Sequence, residues 1–363
     1  MRRSLHRLLV LLAGALFYLL LFPVPTRKEL AIDRRWAATV TAEAPLAAAA
    51  TGSLADSIPF AFPDAFGYLD QEGALRFRAP VSYGVAISEE GFVSYGRVPE
   101  QLVIQQPDGR YQATVAVAGY PYYAGGQLYV TDGGGSVVDC YEASGNHLWT
   151  IELPGSVSVI DGQDGFGAVG MLAGGVAVVQ SDGRQLTVDG TGNSFATVVY
   201  GIAVDAAEGR VAAATGPTDP AVVVYARQEE RMVPTLRIDL ESTPGGPIVL
   251  EFVNGGEELV VDDGESARII SSEDGSSVTV PLSNQLRVVS ENRNGLMVAL
   301  SRSNAPDPQR GFRTPAELVF FDAPGSVPVR TVFAADHTFL HVAAEGSVLG
   351  LDGRVLRFRV GSE

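Results

Sequence analysis

One local phrase returns along this chain and limits what it can fold into. A short apolar run meets a tight turn carrying Gly, and a second apolar run follows. The phrase reads "VIQQPDGRYQATVAV", "DCYEASGNHLWTIEL", "VVQSDGRQLTVDG" and "IISSEDGSSVTVPL" in the body of the chain. It also reads "YLDQEGALRFRAPV" just after Phe66 and "LGLDGRVLRFRV" near the C terminus. Gly, Asp and Ser supply the positive φ, or the side-chain bonds to backbone, that tight hairpins require. The runs are too short for helices, and no helical period is sustained after Phe66. A succession of hairpins predicts an all-β fold.

The phrases recur every 35–50 residues or so, the spacing of about 40–50 that marks propeller blades. We read them as the outer two strands of successive blades, at 80–118, 119–154, 155–191, 192–240, 244–283 and 284–333. A further blade is expected to join 334–360 to the strands around 66–79, because the two ends read alike. Such a closing blade leaves no open sheet edge to template aggregation. The expected fold is thus an all-β propeller of about seven blades over residues 66–363.

At "YEASGNHLWTIELPG" the chain resembles the quinoprotein-like and outer-membrane-assembly propellers, within the WD40-like superfold. In those families a blade commonly ends on a Gly, an apolar residue and a Trp, matched here by Gly145, Leu148 and Trp149. Phe77, Val188 and Phe358 stand in for the Trp in other units, and no WD dipeptide occurs. The resemblance implies the fold and says little of function.

The N terminus is of another kind. Arg2, Arg3 and Arg7 precede an apolar run from Leu8 to Phe22. The run is shorter than the roughly 17–25 residues of a full span, though Val24 extends it. We expect a short flank over 1–7, a transmembrane signal-anchor over 8–24 and a linker over 25–65 rich in Ala, Thr and Pro, with a turn of helix near Trp36. The alternative is a cleaved secretory signal, which the Pro-Val-Pro after the run disfavours. Basic residues flank the run on both sides, Arg27, Lys28, Arg34 and Arg35 following it. Charge therefore leaves orientation open, and we expect the propeller on the periplasmic side of a bacterial inner membrane.

Composition excludes several classes. The formal net charge of −16, with no basic stripe in the body of the chain, argues against a nucleic-acid partner. A single cysteine, Cys140, allows neither an intrachain disulfide nor a cysteine metal cluster. "GFGAVG" at Gly165–Gly170 matches a dinucleotide-binding spacing but leads into a β-rich run instead of a helix, so it reads as a turn within a blade. Asp161 and Asp164 in "DGQDGFG" have too few oxygen ligands around them for a calcium loop and read as a hairpin turn. His337 and His341 would point to one side of a strand, too far apart to share a metal. No catalytic set, cofactor site or metal site is expected.

Two features remain as binding candidates. "GYPYYAGG" places Tyr120, Tyr122 and Tyr123 at a blade start, where exposed aromatics mark partner contacts. The polar excursion "SRSNAPDPQRGFRTPAE" from Ser301 carries Arg310, Phe312 and Arg313. The expected function is a membrane-anchored, non-catalytic propeller that binds a protein or acts as a scaffold in the bacterial envelope. The alternatives are an envelope enzyme acting on glycan, through its surplus of carboxylates, or a ligand sensor.

Overall fold

The computed structural model describes residues 30–41, 54–190, 197–292, 295–305, 313–321, 329–343 and 346–362. The expected signal-anchor and the residues Arg310 and Phe312 lie outside them. Among the described residues no helix is long and apolar enough to cross a membrane. Contacts divide the chain into a unit of Met1–Ile32 with Val360–Glu363 and a unit of Asp33–Arg359. The described residues of the smaller unit are strand ends, and the remaining described residues belong to the larger.

Nearly every described element is a strand, broken only by two short 3-10 turns at Leu54–Asp56 and Asn254–Gly256. The strands form antiparallel meanders in chain order. Four-stranded sheets run over Gly84–Val115, Tyr120–Glu152, Leu250–Pro281 and Leu286–Ala334. Two more meanders, Val157–Val188 and Thr197–Asp239, are joined through their fourth strands by a short parallel pairing, Thr187 to Arg231 and Val188 to Met232. These six intervals match the six expected from the repeated phrase.

The chain ends depart from expectation. The segment around 66–79 and the C-terminal hairpins do not share a sheet. Ala65–Leu69 and Leu75–Pro80 form a three-stranded sheet with Ile58–Ala61. Thr338–Ala343, Gly346–Leu351 and Arg354–Ser362 form another, completed by Leu30–Thr39. The described residues therefore contain one meander more than the seven expected. Much of the segment read as linker is strand, and Trp36 lies in a strand and not in a turn of helix. The physical reason is pairing: Arg354–Ser362 takes Leu30–Thr39 as its neighbour in the sheet, and that strand carries no turn of its own to mark it in sequence. At its end the Val40 N–H donates to the Gly353 carbonyl at 2.9 Å.

The turns hold the fold as predicted. The loop Asp164–Gly165 is a hairpin tip, with φ of 48° and 84°. "GFGAVG" departs from the turn expected of it: only Gly165 is at the tip, and the rest is the wholly buried strand Phe166–Met171, whose residues pair on both sides. The core is divided among the meanders, in apolar clusters between successive sheets. One such cluster joins Val260 and Ile269 of one meander to Met297 and Val319 of the next.

A repeated contact also crosses several of the junctions. The hairpin glycine between the last two strands of a meander lies against a residue on the last strand of the meander before it. A Cβ on Gly183 would come within 2.8 Å of Trp149, one on Gly109 within 2.4 Å of Phe77, and one on Gly73 within 2.6 Å of Trp36. The absence of a side chain at these glycines is what lets the ring lie there. Trp149 and Phe77 thus share the structural role that the sequence resemblance suggested. Trp36, placed in the linker by sequence, is the equivalent residue of the closing sheet, and its indole N–H donates to the Gln71 carbonyl at 2.8 Å. Phe358 does not match it: its ring packs edge-on against Phe320, 5.7 Å between centroids.

Candidate functional site

The first strands of the meanders position the site. Gly84–Ile87, Tyr120–Ala124, Val157–Gln163, Thr197–Asp205, Leu250–Val253, Leu286–Glu291 and Thr338–Ala343 neighbour one another in that order. Ile58–Ala61 lies beside both Thr338–Ala343 and Gly84–Ile87, so the order closes on itself. The His341 Nε2, on Thr338–Ala343, meets the Oε1 of Glu89, in the turn after Gly84–Ile87, at 3.1 Å. That hydrogen bond holds the Glu89 carboxyl below its usual range.

Side chains from three of these strands act on one another electrostatically. Tyr122 is 51% exposed and Glu251 is exposed, yet burial among surrounding atoms is the first cause of a raised pKa in both. Both side chains stay open to water, so the shift reflects the surrounding protein and not full burial of the groups themselves. Burial, then the charge of Asp161, pushes the Glu251 carboxyl up to about 8. Asp161 is pushed up to about 6 by burial, against backbone N–H donors from Gly162 and Val204 that pull it down. The Val204 N–H donates to its Oδ2 at 2.9 Å, so a carboxylate of one meander caps the first strand of the next. The Tyr122 phenol is raised by burial, then by Asp161 and Glu251. Burial thus favours the neutral form of all three groups.

Outward along the same strand the chemistry turns aromatic. Alternation buries Pro121 and leaves Tyr120 and Tyr122 exposed on either side of it in sequence, about 7 Å apart along the strand. Tyr120 packs edge-on against Tyr95, centroids 6.3 Å apart, and Tyr95 packs edge-on against Tyr83 at 6.2 Å. Such edge-to-face geometry is favourable between ring quadrupoles. The Tyr120 hydroxyl donates to the Arg97 carbonyl at 3.0 Å and fixes the ring. Tyr83 is 56% exposed and Val98, next to Arg97, is 78% exposed. Gly84 makes the arrangement fit: it pairs across the sheet with Tyr95, and a Cβ there would lie 2.4 Å from the Tyr95 ring.

The sequence candidates thus fall into different surroundings. Tyr120 joins the aromatic run and Tyr122 the carboxylates. Tyr123 points elsewhere: its buried hydroxyl has no hydrogen-bond partner among the described residues, Glu90 acts on it electrostatically, and it in turn acts on Tyr68. Arg313 is exposed, lies 3.9 Å from Asp352, and lines a cavity of about 340 Å3 with Phe62, Asp64 and His337. Sequence reading passed over Tyr83, Tyr95 and Glu251. The signal for the first two was present, since "VSYG" occurs twice, at Val81–Gly84 and Val93–Gly96. Glu251 in "VLEFV" carries no local signal.

Comparison with known proteins agrees with this architecture. An uncharacterized protein of Treponema pallidum (strain Nichols) is 20% identical over 224 residues, 62% of this chain. The match spans 59% of that relative's own length. Among solved structures, the computationally designed Ika8 protein superposes with a TM-score of 0.61 at 12% identity, covering 90% of this chain and 99% of that one. BamB from Moraxella catarrhalis superposes with a TM-score of 0.58 at 12% identity, covering 91% of this chain and 98% of that one. At such identities the likeness concerns the fold. A family model described as beta-propeller protein matches residues 5–362, and the chain belongs to that family.

Proposed function

We propose that this protein is a non-catalytic β-propeller that binds a protein partner through the face bearing Tyr83, Tyr95, Val98 and Tyr120. The carrying observation is the exposed, mutually packed tyrosine run. Tyrosine offers a large contact area at low cost in side-chain entropy, and interface hot spots are enriched in it. Here the rings are held before any partner arrives, by edge-to-face packing and the Tyr120 hydrogen bond. The apolar run Leu8–Phe22 behind Arg2, Arg3 and Arg7 supports tethering to an inner membrane, with the propeller in the periplasm.

Photocrosslinking tests the reading. A benzophenone amino acid replacing Tyr83 or Val98 in the full chain, in cells of its host, is expected to give a discrete adduct. The same probe at Val278 or Val332, exposed on the fourth strands of other meanders, is expected to give none. Equal labelling at all four positions, or none at any, overturns the proposed face. For the tether, the full chain is expected to stay with membranes through carbonate extraction, and a chain lacking residues 2–24 to be released.

A further inference from the structure

Two adjacent aspartates, Asp262 at the end of the strand Glu258–Asp262 and Asp263 after it, each hold a different crossover between meanders. Asp263 holds the crossover that enters its meander. Its carboxyl accepts from the Glu241 and Ser242 N–H groups at 3.1 and 2.8 Å and from the Ser242 hydroxyl at 2.7 Å. Arg268 pairs with it at 3.1 Å. Burial raises this carboxyl, but these donors outweigh burial and keep it below its usual range. Asp262 meets the crossover that leaves, residues 282–285, and has far fewer donors. It is 1% exposed. Its Oδ2 accepts from the neutral Gln285 Nε2 at 3.2 Å, and its Oδ1 has no hydrogen-bond partner among the described residues.

Alternation along the strands shows where this carboxyl points. Val260 and Ala267 pack in one cluster with Ala299 and Val319 of the next meander. Asp262, two residues on from Val260 and paired with Ala267, faces the same inter-sheet space. Ser301, two on from Ala299, and its cross-strand partner Glu317, two before Val319, face that space from the other side. Ser301 is fully buried, and its hydroxyl also has no hydrogen-bond partner among the described residues. The other charged groups here are engaged. Glu317 accepts from the Ser283 N–H at 2.9 Å and pairs with Arg330 at 3.1 Å. Arg302, beside Ser301, donates to the Asp336 carbonyl. Arg287 and Asp263 act on Asp262 electrostatically, with opposite signs. A buried carboxylate short of donors is unfavourable, whereas the neutral acid brings a donor of its own and keeps an acceptor for Gln285.

We propose that Asp262 is a proton-operated latch on the crossover 282–285. As the neutral acid it ties the crossover between the two meanders, donating from Oδ1 toward Ser301 and accepting from Gln285. On losing its proton to solvent it lets the crossover open to water. Burial, against the hydrogen bonds from Gln285 and the Leu286 N–H, pushes this carboxyl up to about 6. The folded value is raised, so the stabilising contribution is full at acid pH and is lost as pH rises through about 6. The latch is independent of the partner-binding reading, since Tyr83 occupies another crossover, before Gly84–Ile87.

Hydrogen exchange read by mass spectrometry tests the latch on the full chain in detergent. Protection is followed in a peptide covering residues 282–287 and corrected for the intrinsic pH dependence of exchange. Between about pH 5 and about pH 8 it is expected to fall about tenfold, because the carboxyl returns from about 6 to the ordinary range of about 4 when the crossover opens. Asp262→Asn mimics the neutral acid and keeps an oxygen for Gln285; its protection is expected to stay within about twofold over the same range. The crossover at 240–242, held by the charged Asp263, is expected to show no such fall. Ser301→Ala removes the acceptor for the neutral acid and is expected to move the fall to lower pH, and it serves if Asp262→Asn does not fold. Protection in the wild type that does not change with pH, an equal fall in Asp262→Asn, an equal fall at both crossovers, or an unmoved fall in Ser301→Ala overturns the latch.

Discussion

At the scale of single residues, space and charge decide more than residue type. Gly183 has a φ of 84° and no room for a Cβ beside Trp149. Gly183→Ala is expected to cost about 1–3 kcal/mol in urea unfolding. Gly133 has nothing within 4 Å of its Cβ position and no positive φ. Gly133→Ala is expected to change stability by less than about 0.5 kcal/mol. Residue type alone does not separate these two glycines. Glu251, with Asp161 and the buried Asp262, contributes to the pH dependence. Its folded pKa, near 8, exceeds that of an exposed carboxyl, because burial and Asp161 favour the protonated form. Its stabilising contribution is therefore full at acid pH and is lost as pH rises toward 8. Between pH 5 and 8.5 (roughly the span from the ordinary carboxyl range to above the folded value), wild type should lose more urea resistance than Glu251→Gln. A steeper loss in the variant would contradict this assignment. Asp161, whose folded pKa is also raised, contributes in the same direction at lower pH.

At the scale of elements, the hairpins were legible because each carries its own turn. Gly109, Gly145, Gly183 and Gly275 all sit at hairpin tips with positive φ, in the phrases from which the strands were read. Leu30–Thr39 was not legible for the opposite reason. "LAIDRRWAAT" has neither a turn nor a strong alternation, and the strand it pairs with lies at the far end of the chain. Its membership is testable through Trp36, which packs on Gly73 as Trp149 packs on Gly183. Trp149→Ala, at a buried site, is expected to cost about 3–5 kcal/mol. Trp36→Ala, half-buried, is expected to cost about 2 kcal/mol. No loss of stability in Trp36→Ala would remove Leu30–Thr39 from the folded core. Ile58–Ala61 was hidden in the same Ala- and Pro-rich stretch, and only its pairing with Phe66–Leu69 shows it to be a strand.

At the scale of the whole molecule, what matters is which distant strands become neighbours. Apolar clusters join each sheet to the next, including Ile58 and Phe60 of the first meander with Val348 and Val355 of the last. Cys140 reports on this directly. It is buried, and burial pushes its thiol up to about 12. The native thiol is therefore expected to resist a thiol reagent at pH 8 and to react as urea unfolds the chain. Trp36 and Trp149, the two tryptophans, lie in separate sheets. Their fluorescence change and Cys140 labelling are expected to coincide; labelling well before the fluorescence change would show that the meanders open separately. By itself the sequence determined the all-β class, six of the meander intervals, the hairpin tips and the tyrosine-bearing strand, because turns and strand periods are written in adjacent residues. Only the tertiary structure decided the closing sheet, the place of Trp36 and the packing of Tyr83, Tyr95 and Tyr120. Those depend on contacts between residues tens to hundreds of positions apart, which no local pattern records.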